Sequence, residues 1–257
     1  MRTIPVLVLA TLCILALPLF GADETCPAKW TYSGMTGPSG WPAMYPKCGG
    51  ATQSPIRVTR MTGDSHPEPA FDYLEQKYPV ILKNTSRELK VLPMFDGKMT
   101  YGAAVARLVQ FHFHTGVGGT EHKLDLWKDK VAELHLVHET PEGRTFVVAV
   151  AIALGPSNPA LAALLNFGTL EECHSKTSRT DNQLVEMQTL LPKDRGEFVT
   201  YVGSLTTPPC SEGVTFLLMN DGITATPEQV NYLRIGAGNI RPPQQNSNAV
   251  TFRKISE

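Results

Sequence analysis

Two segments decide the reading of this chain: Gln110-Phe111-His112-Phe113-His114 and Glu133-Leu134-His135-Leu136-Val137-His138. On an extended strand successive side chains point to opposite faces. His112 and His114 then share a face with Gln110, while Phe111 and Phe113 share the other. In the second segment Glu133 and His135 share a face, and His138, three positions on, points away from them. Each segment therefore reads as a strand with one imidazole-bearing face and one apolar face.

Working outward, further apolar or alternating runs occur over residues 78–82, 89–94, 107–114, 132–137, 146–154 and 214–219. Turn signals such as Asp96-Gly97, Pro141-Glu142-Gly143 and Asp221-Gly222 separate them. Helices are predicted only over 158–166 and 227–235, the second opening with Thr226 as N-cap, Pro227 at the first position and Gln229 at the third. With no internal repeat, low-complexity tract or linker, the prediction is a mainly β single domain with short peripheral helices.

The 257 residues, 42% hydrophobic and 18% charged, have the composition of a globular protein. A net charge of −1 and the absence of any Lys/Arg block argue against a nucleic-acid partner. Residues 1–22 read as a signal peptide: Arg2 is the basic start, residues 4–20 the apolar run, and Gly21 and Ala22 the small-residue exit. An uncleaved anchor is the alternative reading. Cleavage leaves residues 23–257 as the folded domain, secreted or periplasmic, with no stable membrane association. Cys13 lies in the leader, so Cys26, Cys48, Cys173 and Cys210 remain, an even number suited to an oxidising compartment. Three pairings are open to them.

Three neutral imidazoles from His112, His114 and His135 would leave the double charge of a zinc ion uncompensated and its fourth position open to water. Gln110 and Glu133 each stand two residues before a histidine, on the same strand face, placed to accept its second ring N–H. A carboxylate within so apolar a run requires a partner. Farther on, Ser204-Leu205-Thr206-Thr207-Pro208-Pro209-Cys210 offers hydroxyls that both donate and accept, on a stretch stiffened by paired prolines.

With these residues in hand the chain resembles the α-class carbonic anhydrases from about Trp30 to Arg241. The resemblance is carried, in order, by Trp30-x-Tyr32-x-Gly34, Gly37-Pro38, Trp41, Gln53-Ser54-Pro55-Ile56, Gln110 to His114, Glu121-His122, Glu133 to His138 and Ser204 to Pro209. It implies a large, mostly antiparallel sheet of about ten strands around a conical cavity with zinc (Zn2+) at its centre, and reversible hydration of carbon dioxide to bicarbonate. It further implies His112, His114 and His135 as ligands, Thr206 as the hydroxyl orienting the attacking hydroxide, and Glu121 as acceptor of the Thr206 proton. Thr207 lies beside them. Val137, Val148, Leu205 and Val214 match the apolar wall against which the substrate rests, and Cys48 and Cys210 match a bridged pair. Cys26 and Cys173 are then left to pair with each other or with another chain.

Several positions depart from the family pattern. Arg87 stands where fast members carry a proton-shuttle histidine, and arginine does not release its proton. Lys90 adds a second cation where a neutral amide is usual. An enzyme limited by proton transfer is therefore predicted, with Glu88 or His66 as other relays to consider. Phe216 replaces a customary tryptophan, the loop of residues 115–120 differs in length, and Asn84-Thr85-Ser86 fits a glycan acceptor. Two alternatives accompany this reading: a weak or inactive relative kept as a binding or storage protein, and a zinc esterase. The partner expected is the small-molecule substrate; protein partners are left open.

Overall fold

A computed structural model describes residues 26, 29–59, 62–63, 66–248 and 250–253. The signal-peptide reading of residues 1–22 lies outside them. Strands β1 (Thr62–Gly63), β2 (Ala70–Asp72), β3 (Lys77–Tyr78), β4 (Val80–Asn84), β5 (Leu89–Pro93), β6 (Lys98–Tyr101), β7 (Ala104–Thr115) and β8 (Ala132–Glu139) come first. They are followed by β9 (Thr145–Leu154), β10 (Ser175–Thr177), β11 (Val185–Glu186), β12 (Phe198–Ser204), β13 (Glu212–Met219), β14 (Ile223–Ala225) and β15 (Thr251–Arg253). Helices are short: α1 (Trp41–Met44), α2 (Pro159–Leu165) and α3 (Pro227–Leu233).

Thirteen strands form one sheet whose main path runs β1-β15-β12-β13-β9-β8-β7-β5-β4-β10, and β3 pairs separately with β11. The sheet is larger than the ten or so strands expected, and it is mixed: β13 and β14 both pair with β9 in parallel, as β1 does with β15. A parallel partner requires a crossover through intervening chain, which no local hydrophobic pattern encodes. Both predicted helices form. The Asn158 side chain caps α2 by accepting from the amides of Ala160 and Leu161, and Thr226 with Gln229 closes a reciprocal capping box on α3. Each such cap is worth about 1 kcal/mol.

Two apolar clusters, packed on opposite faces, sandwich the centre of the sheet. One contains Leu108, Phe111, Phe113, Leu134, Leu136 and Val148 with the buried face of α2; the other contains Val137, Val147, Ala149, Tyr201, Val214 and Phe216. In β7 the burial pattern changes along the strand. Residues 104–108 alternate between core and solvent, and from Phe111 onward every side chain is buried. The pairing of β7 with β8 slips by one residue between Leu108 and Gln110, a bulge at Val109. Before the bulge the even-numbered Ala106 and Leu108 face the first cluster; after it the odd-numbered Phe111 and Phe113 do. That one extra residue turns His112 and His114 to the opposite face. Phe111 and Phe113, both fully buried, each contribute about 1.5–3 kcal/mol of burial energy that fixes the orientation.

Candidate metal centre

The antiparallel register sets His112 directly across from His135 on neighbouring strands. The ring centroids of His112, His114 and His135 lie 4.6–5.2 Å apart. One ring nitrogen from each falls within 4.8 Å of the other two. The remaining nitrogens are spoken for: His112 Nδ1 pairs with Gln110 Oε1 at 2.9 Å, His114 Nδ1 with the Asn239 carbonyl at 2.7 Å, and His135 Nε2 with Glu133 Oε1 at 2.7 Å. These partners are acceptors, so each ring donates outward and turns a lone pair inward. His114 Nε2 is buried without a hydrogen-bond partner. Burial holds His112 well below, and His114 below, the ordinary histidine range, and so favours the neutral form a metal requires. Three converging imidazoles, one with an orphaned nitrogen, fit a zinc ion with an open fourth position.

Behind His135, Glu133 is fully buried and accepts four hydrogen bonds. Its Oε1 takes the His135 and His122 rings, and its Oε2 takes the amides of Glu121 and His122, both at 2.8 Å. Burial alone would raise this carboxyl; the adjoining His122 and these ring hydrogen bonds hold it well below the usual carboxylate range. The chain continues from His122 Nε2 to the Tyr201 hydroxyl at 2.5 Å, then to Ser54 Oγ at 2.8 Å, which accepts from the Ser204 amide. His122, Glu133 and His135 also converge closely, but these bonds already close that group.

Thr206 and Glu121 are buried beside the triad. Glu121 Oε1 accepts from the Arg241 amide at 3.0 Å and lies 3.3 Å from His114 Nδ1. Burial pushes its carboxyl up to about 8, against the pull of His135, the Arg241 amide and the Thr206 hydroxyl toward the charged form. The Arg241 guanidinium, itself buried, donates to Gln53 Oε1, the Ser54 carbonyl and the Cys48 carbonyl. A Cys48–Cys210 disulfide anchors the end of the Thr206 loop to that layer.

Val137 and Val214 line the triad's side of the sheet with Leu205 packed against them. Val148 does not. It pairs across from Leu136 and faces the first cluster, whereas Val147 pairs across from Val137 and shares its face. On β9 it is therefore Val147, not Val148, that faces the triad's side of the sheet, a shift of one position that reverses the face. Phe216 packs against the rings of His122 and His135, at 5.0 and 5.9 Å. His138 points into the opposite core, hydrogen-bonded through Nε2 to the Tyr73 hydroxyl.

A cavity of about 250 Å³ opens outward, lined by Thr207, Glu88, Lys90, Arg87, Trp30 and the Cys26–Cys173 disulfide among others. The hairpin turn that supplies Arg87 is closed by the Thr85 amide donating to the Glu88 carbonyl at 3.1 Å. The Arg87 guanidinium lies 4.5 Å over the Trp30 ring. Lys90 pairs across from His112 in the sheet, and its Nζ sits 3.2 Å from Glu88 Oε1; Glu88 Oε2 is 3.8 Å from His112 Nε2. His66, considered as a relay, lies elsewhere, bonded to Thr251 and near Phe198. The Asn84 side-chain amide donates to the Leu170 carbonyl at 2.9 Å, a bond that a glycan there would disturb.

Sequence reasoning assigned no role to His122, Tyr201, Ser54, Asn239 or Arg241. A buried polar side chain inside an apolar strand was the available signal for Tyr201. None existed for Asn239, which serves His114 through its backbone carbonyl.

Comparison with known proteins accords with this geometry. Rat carbonic anhydrase 3 is 30% identical over 251 residues, covering 84% of this chain and 94% of the relative. Mouse carbonic anhydrase 1 is 31% identical over 238 residues, covering 80% and 86%. The solved α-carbonic anhydrase of Photobacterium profundum superposes with a TM-score of 0.78 at 30% identity, covering 87% of this chain and all of that one. The family model for eukaryotic-type carbonic anhydrases matches residues 36–255, and the chain belongs to that family.

Proposed function

We propose that this chain catalyses the reversible hydration of carbon dioxide with a zinc ion held by His112, His114 and His135, and that proton export limits its turnover. The observation that carries the reading is the triad itself: three imidazoles whose outer nitrogens are each occupied and whose inner nitrogens converge. When bound, zinc supplies Lewis acidity at an open position. The chain's own residues supply orientation. Gln110, the Asn239 carbonyl and Glu133 fix the ring tautomers, and outer partners of this kind are worth about 10–100-fold in metal affinity or activity. Thr206, backed by Glu121, aligns the attacking oxygen through a hydroxyl that both accepts and donates. Val137, Val147, Leu205 and Val214 offer carbon dioxide a dry apolar surface, suited to a nonpolar substrate, with Thr207 at its edge.

Arg87 supports the rate limit. A guanidinium keeps its proton, and this one stacks on Trp30 beside the cavity. Secretion or periplasmic export is supported by the two disulfides. No helix among the described residues is long and apolar enough to cross a membrane. Stopped-flow hydration of carbon dioxide by the purified chain, with and without chelator and alongside an ester, tests the proposal. Hydration that chelator abolishes and that quickens with added imidazole buffer is expected. Hydration untouched by chelator would overturn the zinc assignment, ester cleavage without hydration would favour a hydrolase, and equal rates in weak and strong buffer would remove the proton limit.

A further inference from the structure

One cavity brings a solvent-exposed histidine together with side chains that neighbour the triad. Its lining includes Thr207, adjacent to Thr206, and Glu88, whose Oε2 is 3.8 Å from His112 Nε2, together with Cys26, Cys173, His174 and Ser175. The ionisable side chains on its lining are Lys83, Arg87, Glu88, Lys90 and His174, since Cys26 and Cys173 are bridged. Glu88 and Lys90 are paired with each other at 3.2 Å. Lysine and arginine hold their protons near neutrality, and imidazole is the side-chain type whose ordinary titration falls between pH 5 and 8.

The position of His174 is fixed. Its carbonyl accepts from the Asn84 amide at 3.0 Å, its amide donates to the Glu171 carbonyl at 3.2 Å, and the preceding Cys173 is bridged to Cys26. Its ring Nδ1 lies 2.9 Å from the Glu172 carbonyl, an acceptor. Nδ1 therefore carries the hydrogen, and Nε2 is the basic nitrogen. With 65% of its side chain exposed, the ring touches both cavity and bulk solvent. The charged groups around it are Glu171, whose Oε2 is 3.9 Å from Nδ1, Glu172, Lys176, and Lys83, which pairs across from Ser175, with Arg87, Glu88 and Lys90 along the cavity.

We propose that His174 Nε2 is the proton acceptor at the cavity mouth, doing there what Arg87 cannot; this rests on the hydration reaction proposed above. Carbon dioxide and water give bicarbonate and one proton. That proton passes through cavity water to His174 Nε2, forming an imidazolium, and a buffer base in bulk solvent removes it. His174 touches no reacting atom, so its effect falls on proton export alone.

The test is His174→Ala in the full mature chain, assayed for hydration in weak buffer and in concentrated imidazole, with oxygen-18 exchange as a separate measure of proton delivery. The expected result is a several-fold fall in kcat in weak buffer, bounded by the ~100-fold low end for a positioned proton acceptor. kcat/KM should be unchanged, and imidazole should restore kcat to the parent value. In an Arg87→His background, where a second acceptor exists, His174→Ala should cost less. If kcat in weak buffer and oxygen-18 exchange are both unaltered by His174→Ala while the parent still responds to imidazole, the His174 assignment is overturned and the hydration reading stands. If the parent shows no chelator-sensitive hydration, the reading beneath it has failed instead.

Discussion

Behind the triad a single carboxylate, Glu133, accepts hydrogen bonds from two rings and two amides, all buried, whereas at the mouth Lys83 and the exposed His174 line a cavity that opens to solvent. The difference teaches where the sequence is free to vary. In a region of low dielectric an unpaired polar atom costs about 1–3 kcal/mol, so each floor residue requires a particular partner. At the mouth, water supplies missing partners and screens charge. On the function proposed above, the floor fixes which reaction is possible, and the mouth sets how fast a proton leaves.

That contrast is open to direct challenge. Replacing His135 with alanine removes one of the three proposed ligands, and should abolish both metal retention, measured by equilibrium dialysis, and hydration. Thr206→Ala should leave metal content intact while lowering kcat/KM by about 100-fold, the cost of misorienting an attacking group. Glu133→Gln replaces a charge acceptor of four hydrogen bonds with an amide. A metal affinity weaker by about 10–100-fold in a competitive chelator titration is expected. Arg87→His is the smallest in free energy: kcat in weak buffer should rise several-fold with kcat/KM unchanged, and loss of the Trp30 contact should cost about 0.5–1 kcal/mol in a denaturant titration. A large effect of Arg87→His on kcat/KM would dissolve the division between floor and mouth.

How much of this was legible in the sequence follows the same division. The triad and its second layer could be read because strand alternation is local: His112, His114 and Gln110 on one strand, Glu133 and His135 on another. The last helix was legible through its Thr226 and Gln229 capping box, whereas the single turn of α1 was not. The parallel pairing of β9 with β13 was not, since it joins segments far apart in the chain. The family resemblance implies Val148 for the triad's side of the sheet, whereas the register puts Val147 on that face; a slip of one residue reverses a side chain completely. Arg241 was invisible as a site residue because its partners, Cys48, Gln53 and Ser54, come together with it only in the folded chain.

The bulge at Val109 carries a consequence for how such a site tolerates change along a lineage. Its contribution is a residue count, not a chemistry: Val109 is a partly buried side chain at the margin of the second cluster, and other side chains of similar bulk would serve there. Removing the position altogether would rephase the strand, turn Phe111 and Phe113 to the face the triad now occupies and bury the histidines among hydrocarbons. The site is thus robust to spelling at that point and intolerant of punctuation. Shortening or lengthening β7 by one residue upstream of Gln110 would erase the triad without altering a single one of its members.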